Sequence, residues 1–192
     1  MLTLQFPGAQ RLVEALDAAI CRDCPTEITD QLRHTLCRLI RDPEVRLPDC
    51  VFEAVGDHYA RRELYRSEDL GYSVIAMTWG PGQGTPIHDH AGMWCVEGVW
   101  YGSLEITPYE MTGHDDNRYR FESRGTMIAG PGSAGSLIPP HEYHTICNPS
   151  DDDVAVSLHI YRGPMTSCSV FRPLADTWYE RDQRQLSLDQ TH

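Results

Sequence analysis

Hydrophobic and polar positions divide the chain near residue 60. Before it, Leu12, Leu16 and Ala19 lie at helical spacing, followed by Ile28, Leu32, Leu36, Leu39 and Ile40. Apolar residues every three to four positions mark one buried helix face. The spacing predicts a helix over 9–20 and a second from about Thr26 to Arg41, stopped by Asp42-Pro43. A third short helical stretch, CVFEAVGDHYA, is expected to end near Ala60. From Tyr72 the texture changes. YSVIAMTW, MWCVEGVWYG, SLEITPYE, RYRFES, GTMIAG, HTICN and VAVSLHIY are short and rich in β-branched and aromatic residues. Gly, Pro, Asp and Asn separate them, and HDDNR reads as a polar hairpin tip. Many short antiparallel strands imply a sandwich or barrel, with no strand–helix alternation to suggest a parallel sheet. The expected class is mainly β with a helical N-terminal part, as one domain over 1–192: about 1–60 helical, about 61–175 β body, about 176–192 a C-terminal tail.

Composition narrows the chemistry. The net charge is -12 and the 16 basic residues are all arginine. Nucleic acid and anionic membrane both want basic patches, so neither is an expected partner. Without lysine, Schiff-base chemistry is excluded. No apolar run is long enough to span a bilayer, and the first residues do not read as a signal peptide. Seven cysteines at irregular spacing then suggest reduced thiols in a cytoplasm. Cys21, Cys24, His34 and Cys37 could in principle hold zinc, but Cys37 falls on an apolar helix face, and the set reads as buried or incidental thiols.

Three groups of polar residues stand out in the β body. His88 and His90 are two apart on an extended segment, so their side chains leave one face. A third ligand could come from IPPHEYHTICN, which holds His141 and His144 without the spacing of a zincin helix. In VAVSLHIY, Ser157, His159 and Tyr161 share one face, while Val154, Val156, Leu158 and Ile160 share the other. A buried Ser-His-Tyr face would need internal hydrogen bonds; the alternative is a polar face in solvent.

The spacings resemble the cupin superfamily of small jelly-roll β-barrels. Gly82, His88, His90 and Gly102 fit its first motif, with Cys95 where the glutamate ligand stands. Pro139, His144 and Asn148 fit the second, with His141 in place of a glycine, and that register selects His144 as ligand and leaves His141 at the rim. Within the superfamily the chain is similar to the cysteine dioxygenases, over roughly Tyr59 to Phe171. These share a cysteine in the degenerate first motif and a strand reading S-x-H-x-Y.

The resemblance implies ferrous iron, Fe(2+), on His88, His90 and His144, with Tyr161 beside it and in many members joined by a thioether to the cysteine matching Cys95. It also implies that His159 and Ser157 orient Tyr161, and that Arg61, supported by Tyr59, binds the substrate carboxylate, Arg62 being the other choice. Arg61 and Cys95 favour the bacterial arginine-type, cysteine-oxidising branch over relatives that use 3-mercaptopropionate. Trp94, Arg162 and Met165 depart from the animal pattern, and Cys168 has a counterpart in it. The implied function is oxidation of L-cysteine by O2 to the sulfinate. Alternatives are the same chemistry on 3-mercaptopropionate or mercaptosuccinate, the latter needing a second cation from Arg62, Arg66 or Arg162, and a metal-binding cupin that is not an oxygenase. The sequence gives no oligomeric state.

Overall fold

A computed structural model describes residues 2–22 and 24–190. Helices α1 (Ala9–Ile20) and α2 (Pro25–Ile40) come first, then a 3-10 turn at Asp49–Phe52. Twelve strands follow among the described residues: β1 (Ala60–Ser67), β2 (Tyr72–Trp79), β3 (Ile87–His88), β4 (Cys95–Tyr101), β5 (Leu104–Asp115), β6 (Arg118–Ser123), β7 (Met127–Ala129), β8 (Ala134–Leu137), β9 (His144–Cys147), β10 (Ala155–Tyr161), β11 (Ser167–Pro173) and β12 (Trp178–Gln185). One sheet runs β1-β2-β10-β4-β8; the other runs β6-β12-β11-β3-β9-β5-β7 and is tied further by β5–β6 pairing. This is the cupin barrel with N-terminal helices that the motif spacing predicts.

Two expectations change. The third helix is only the turn at Asp49–Phe52, and Ala60 opens a strand. The β body starts at Ala60, beside the expected 61, with one strand ahead of the Tyr72 segment. The C-terminal stretch is no simple tail, because Trp178–Gln185 pairs with β11 along its whole length.

Alternation along the five-stranded sheet builds two cores. Val74 and Ala76 of β2, Val96 of β4, and Val156, Leu158 and Ile160 of β10 face Leu12, Leu16, Leu32, Leu36 and Leu39 of the helices. Fully burying one such side chain is worth about 1.5–3 kcal/mol, so this layer is what holds the helices on the sheet. A Cβ on Gly98 would meet Leu36 Cδ2 at 2.8 Å, so α2 sits against β4 at glycine distance. The opposite faces of the same strands line the barrel: Ile75, Met77 and Trp79, Cys95 and Val99, and Tyr161, with Leu104, Ile146 and Val170 from the second sheet. Gly102, after β4, turns the chain with φ 70°, and a Cβ there would strike Val154 O at 2.8 Å.

Candidate metal centre and active site

Strand register decides which polar residues reach the barrel interior. Arg61 pairs with Met77 and Arg62 with Ala76. Paired residues share a face, so Arg61 turns inward with Met77 and Arg62 outward with Ala76. Arg62 donates to Thr78 Oγ1 at 2.9 Å and to Glu53 O at 2.9 Å, well away from the cleft. Arg66 pairs with Glu63, and Arg162 is exposed. On β10, Tyr161 stands opposite Cys95, His159 opposite Glu97, and Ser157 opposite Val99. Ser157, His159 and Tyr161 are at most 3% exposed, so their face is interior and not solvated.

Three histidines converge. His88 and His144 are register partners on β3 and β9, and His90 follows just after β3. With His90, their ligand atoms lie within 4.8 Å of one another. His88 Nδ1 lies 3.1 Å from Pro86 O, and His144 Nδ1 lies 3.0 Å from Glu142 O. A carbonyl only accepts, so each Nδ1 carries the proton and each Nε2 presents a bare lone pair. His90 donates from its backbone N–H and from Nδ1 to Glu142 Oε2, at 2.9 and 3.1 Å. All three rings are thus fixed in the tautomer that offers Nε2 to a metal, and the buried Nε2 of His144 has no hydrogen-bond partner. Burial, then the neighbouring imidazoles, depresses His88 well below its usual range and His144 to about 3. Both are neutral at pH 7, the form that binds metal. His141 is exposed at the rim.

Behind the histidines lies a polar chain that motif reading misses in part. Trp79 Nε1 donates to Ser157 Oγ at 2.9 Å, and Ser157 Oγ lies 2.8 Å from His159 Nε2. Indole can only donate, so the serine proton goes to His159 Nε2 and leaves the imidazole proton on Nδ1. That Nδ1 faces Glu97 Oε2 at 3.4 Å. The expected relay from Ser157 through His159 to Tyr161 is therefore corrected: its far end faces Glu97, and Tyr161 stands opposite Cys95. Glu97 Oε2 also lies 3.7 Å from His144 Nε2. Burial raises Glu97 to about 8. Burial also raises Cys95 and Tyr161 well above their usual ranges.

A cleft that reaches His88 is lined by Tyr59, Arg61, Trp79, Tyr161 and Met165, with Cys168 and Arg184. Arg61 donates to Ser187 O and Met165 O, both at 3.1 Å, and its other N–H groups remain for a ligand. Tyr59 stacks on Trp79 with centroids 4.6 Å apart.

This constellation agrees with what the chain resembles in sequence. Residues 54–173, well over half the chain, match the family model described as cysteine dioxygenase type I. The chain belongs to this family. Among its curated relatives, the cysteine dioxygenase type 1 of Rattus norvegicus is 28% identical over 120 residues, 59% of each chain. That of Bos taurus is 27% identical over 162 residues, 77% of this chain and 80% of the relative. With the rat protein and others like it, the match spans about three-fifths of the relative's length. Among solved structures, TT1209 from Thermus thermophilus aligns with TM-score 0.46 and 18% identity over 62% of this chain and 97% of its own.

The cysteine dioxygenase match begins just after the 3-10 turn, runs through β11 and stops before β12. Four residues of the site escape the motif reading. Trp79 and Glu97 were legible by alternation, each being two residues along a strand from an interior position. Glu142 sits beside the ligand segment, and its role depends on a fold that brings it to His90. Arg184 lies in the segment read as a tail.

Proposed function

We propose that this chain is an iron(II)-dependent thiol dioxygenase that oxidises a small carboxylate-bearing thiol, L-cysteine or a close analogue, with O2 to its sulfinate. The observation that carries the reading is the shared cleft: His88, one of three histidines whose ligand atoms lie within 4.8 Å of one another, lines one cavity with Arg61 and Tyr161. The donor set fits a borderline ion, since three neutral imidazoles without a carboxylate leave positions open for a thiolate. Ferrous iron held by His88, His90 and His144 supplies the one-electron chemistry that lets a thiolate react with dioxygen. The net reaction balances as RSH + O2 → RSO2⁻ + H⁺, with four electrons leaving sulfur and entering dioxygen.

The side chains then have separate tasks. Arg61 pairs with the substrate carboxylate in a planar, bidentate geometry and is held in place by two backbone carbonyls. Tyr161 is kept as a neutral phenol by burial and is a hydrogen-bond donor beside the reacting atoms. Glu142 fixes the His90 ring, and Trp79, Ser157 and Glu97 fix His159. Packing by Met77, Trp79 and Met165 keeps bulk water from the reacting sulfur. The seven free cysteines support a reducing compartment such as the cytoplasm.

A second reading keeps the reaction and changes the thiol, and Arg184 favours it, as argued below. The test is oxygen uptake by iron-loaded protein across L-cysteine, 3-mercaptopropionate and mercaptosuccinate. We expect thiol-dependent uptake that is lost in His144→Ala. Iron binding without uptake on any thiol would make the protein a metal-binding cupin and not an oxygenase.

A further inference from the structure

The cleft holds a second guanidinium. Arg184, on β12, stands opposite Cys168 of β11 and lines the cleft together with Arg61, Tyr59 and Leu186. Its Cζ lies 5.7 Å from the centroid of the Tyr59 ring. The same two arginines also line the shallow depression alongside, with His58 and Asp189. They are neighbours on one rim. The Tyr59 hydroxyl and the Cys168 thiol both feel the two positive charges.

Neither guanidinium is paired with a carboxylate among the described residues. Arg61 is anchored on two backbone carbonyls, which fix its position and leave its charge uncompensated. Asp189, the acid on that rim, accepts from the Arg61 backbone N–H at 2.8 Å through one oxygen and lies 2.9 Å from His58 Nε2 through the other, and it forms no ion pair with either guanidinium. Arg11, Arg33, Arg66, Arg124 and Arg172 pair with carboxylates in this chain of net charge -12, and Arg61 and Arg184 do not, although both line one cleft. Two free cations at one opening form a site for two anionic groups.

We propose that Arg184 is a specificity-determining residue, and that with Arg61 it selects thiols bearing two carboxylates over thiols bearing one. This rests on the thiol dioxygenase reading for what becomes of the sulfur, but the recognition itself is a matter of charge. One carboxylate pairs with Arg61 deep in the cleft and the second with Arg184 at its mouth. Arg62, Arg66 and Arg162, the cations the sequence offers for a second carboxylate, are all directed elsewhere. Arg184 also lies beyond residue 173, where the family match ends, so the second cation is not part of the matched segment.

The test compares mercaptosuccinate with 3-mercaptopropionate, which differ by one carboxylate on the carbon that carries sulfur. Binding to the iron-loaded protein is measured by calorimetry without oxygen, and turnover by oxygen uptake. The wild type is expected to bind mercaptosuccinate at least about tenfold more tightly, as a charge-assisted pair allows. Arg184→Gln should reduce that preference to about twofold or less, and Arg184→Lys should restore part of it. A wild type without the preference, or an Arg184→Gln protein that keeps it, overturns the proposal. The two readings fail separately. Absence of oxygen uptake with any thiol would end the dioxygenase reading while a binding preference sensitive to Arg184 still upheld the two-cation site. Turnover of all thiols without preference would do the reverse. Arg184 is half-buried on a strand near the end of the chain, and melting curves of the variants check that the fold is intact.

Discussion

Glu142 accepts two hydrogen bonds from His90 through one carboxylate oxygen, and its own carbonyl accepts from His144. One residue thus sets the orientation of two of the three candidate ligands. Outer partners of this kind typically cost about 10–100-fold in metal affinity when removed. Glu142→Ala is expected to weaken iron binding by that order in a chelator competition, and unchanged affinity would show that the rings hold themselves. Glu97 makes a pH-dependent contribution in the metal-free protein. Its folded value of about 8 lies above its ordinary 4.5, so the folded state holds the proton that the unfolded chain has released. Stability from this group is complete below about 4.5 and falls as pH rises toward 8. His144 has the opposite sign: depressed to about 3 from 6.5, it costs stability only as pH falls below 6.5. Between about pH 6.5 and 8 the Glu97 effect is therefore unopposed by His144, and His58, raised by Asp189 and Asp57, adds to it. Denaturant melts of the apo protein should show stability decreasing across that window, with a shallower slope in Glu97→Gln. Cys95 and Tyr161 are buried register partners on neighbouring strands, the arrangement from which a thioether can form by loss of two electrons and two protons to dioxygen. A second band on a denaturing gel, absent from Cys95→Ala, is the expected sign; one unmodified species after many turnovers would leave Cys95 a packed thiol.

At the scale of elements, β10 separates stability from chemistry by alternation. Leu158 packs against the helices, while His159 beside it faces the cleft. Leu158→Ala should destabilise the fold by about 2–5 kcal/mol in denaturant melts, with iron affinity unchanged once folded. This strand was readable from VAVSLHIY because its two faces differ so plainly in polarity. β1 and β12 were not. ARRELYRS and WYERDQRQ carry charges on both faces, the mark of a loop or surface segment, and only pairing with β2 and β11 makes them strands. Arg61 is buried in an apolar strand environment because carbonyls from distant Met165 and Ser187 accept its protons, a satisfaction that no local pattern announces. The choice between Arg61 and Arg62 likewise follows from register, which is a property of the pair of strands. Glu97 is the opposite case: two residues beyond Cys95, its interior position follows from the alternation that places the cysteine.

For the whole molecule, the helices cover one face of the five-stranded sheet and leave its other face to the barrel. The C-terminal segment closes the rim: β12 brings Arg184, and Ser187 and Asp189 bind the side chain and backbone of Arg61. The motif spacing makes the three-histidine side of the barrel legible, whereas the rim around Arg61 depends on a segment more than a hundred residues away in sequence. The central claim, that three histidines and Arg61 serve oxidation of a thiol to its sulfinate, is tested most directly by supplying isotopically labelled dioxygen to the iron-loaded protein with its thiol and weighing the product. The account predicts a sulfinate in which both oxygens carry the label, formed by the wild type and not by His144→Ala. A product labelled at one oxygen or none, or formed equally by His144→Ala, would contradict it.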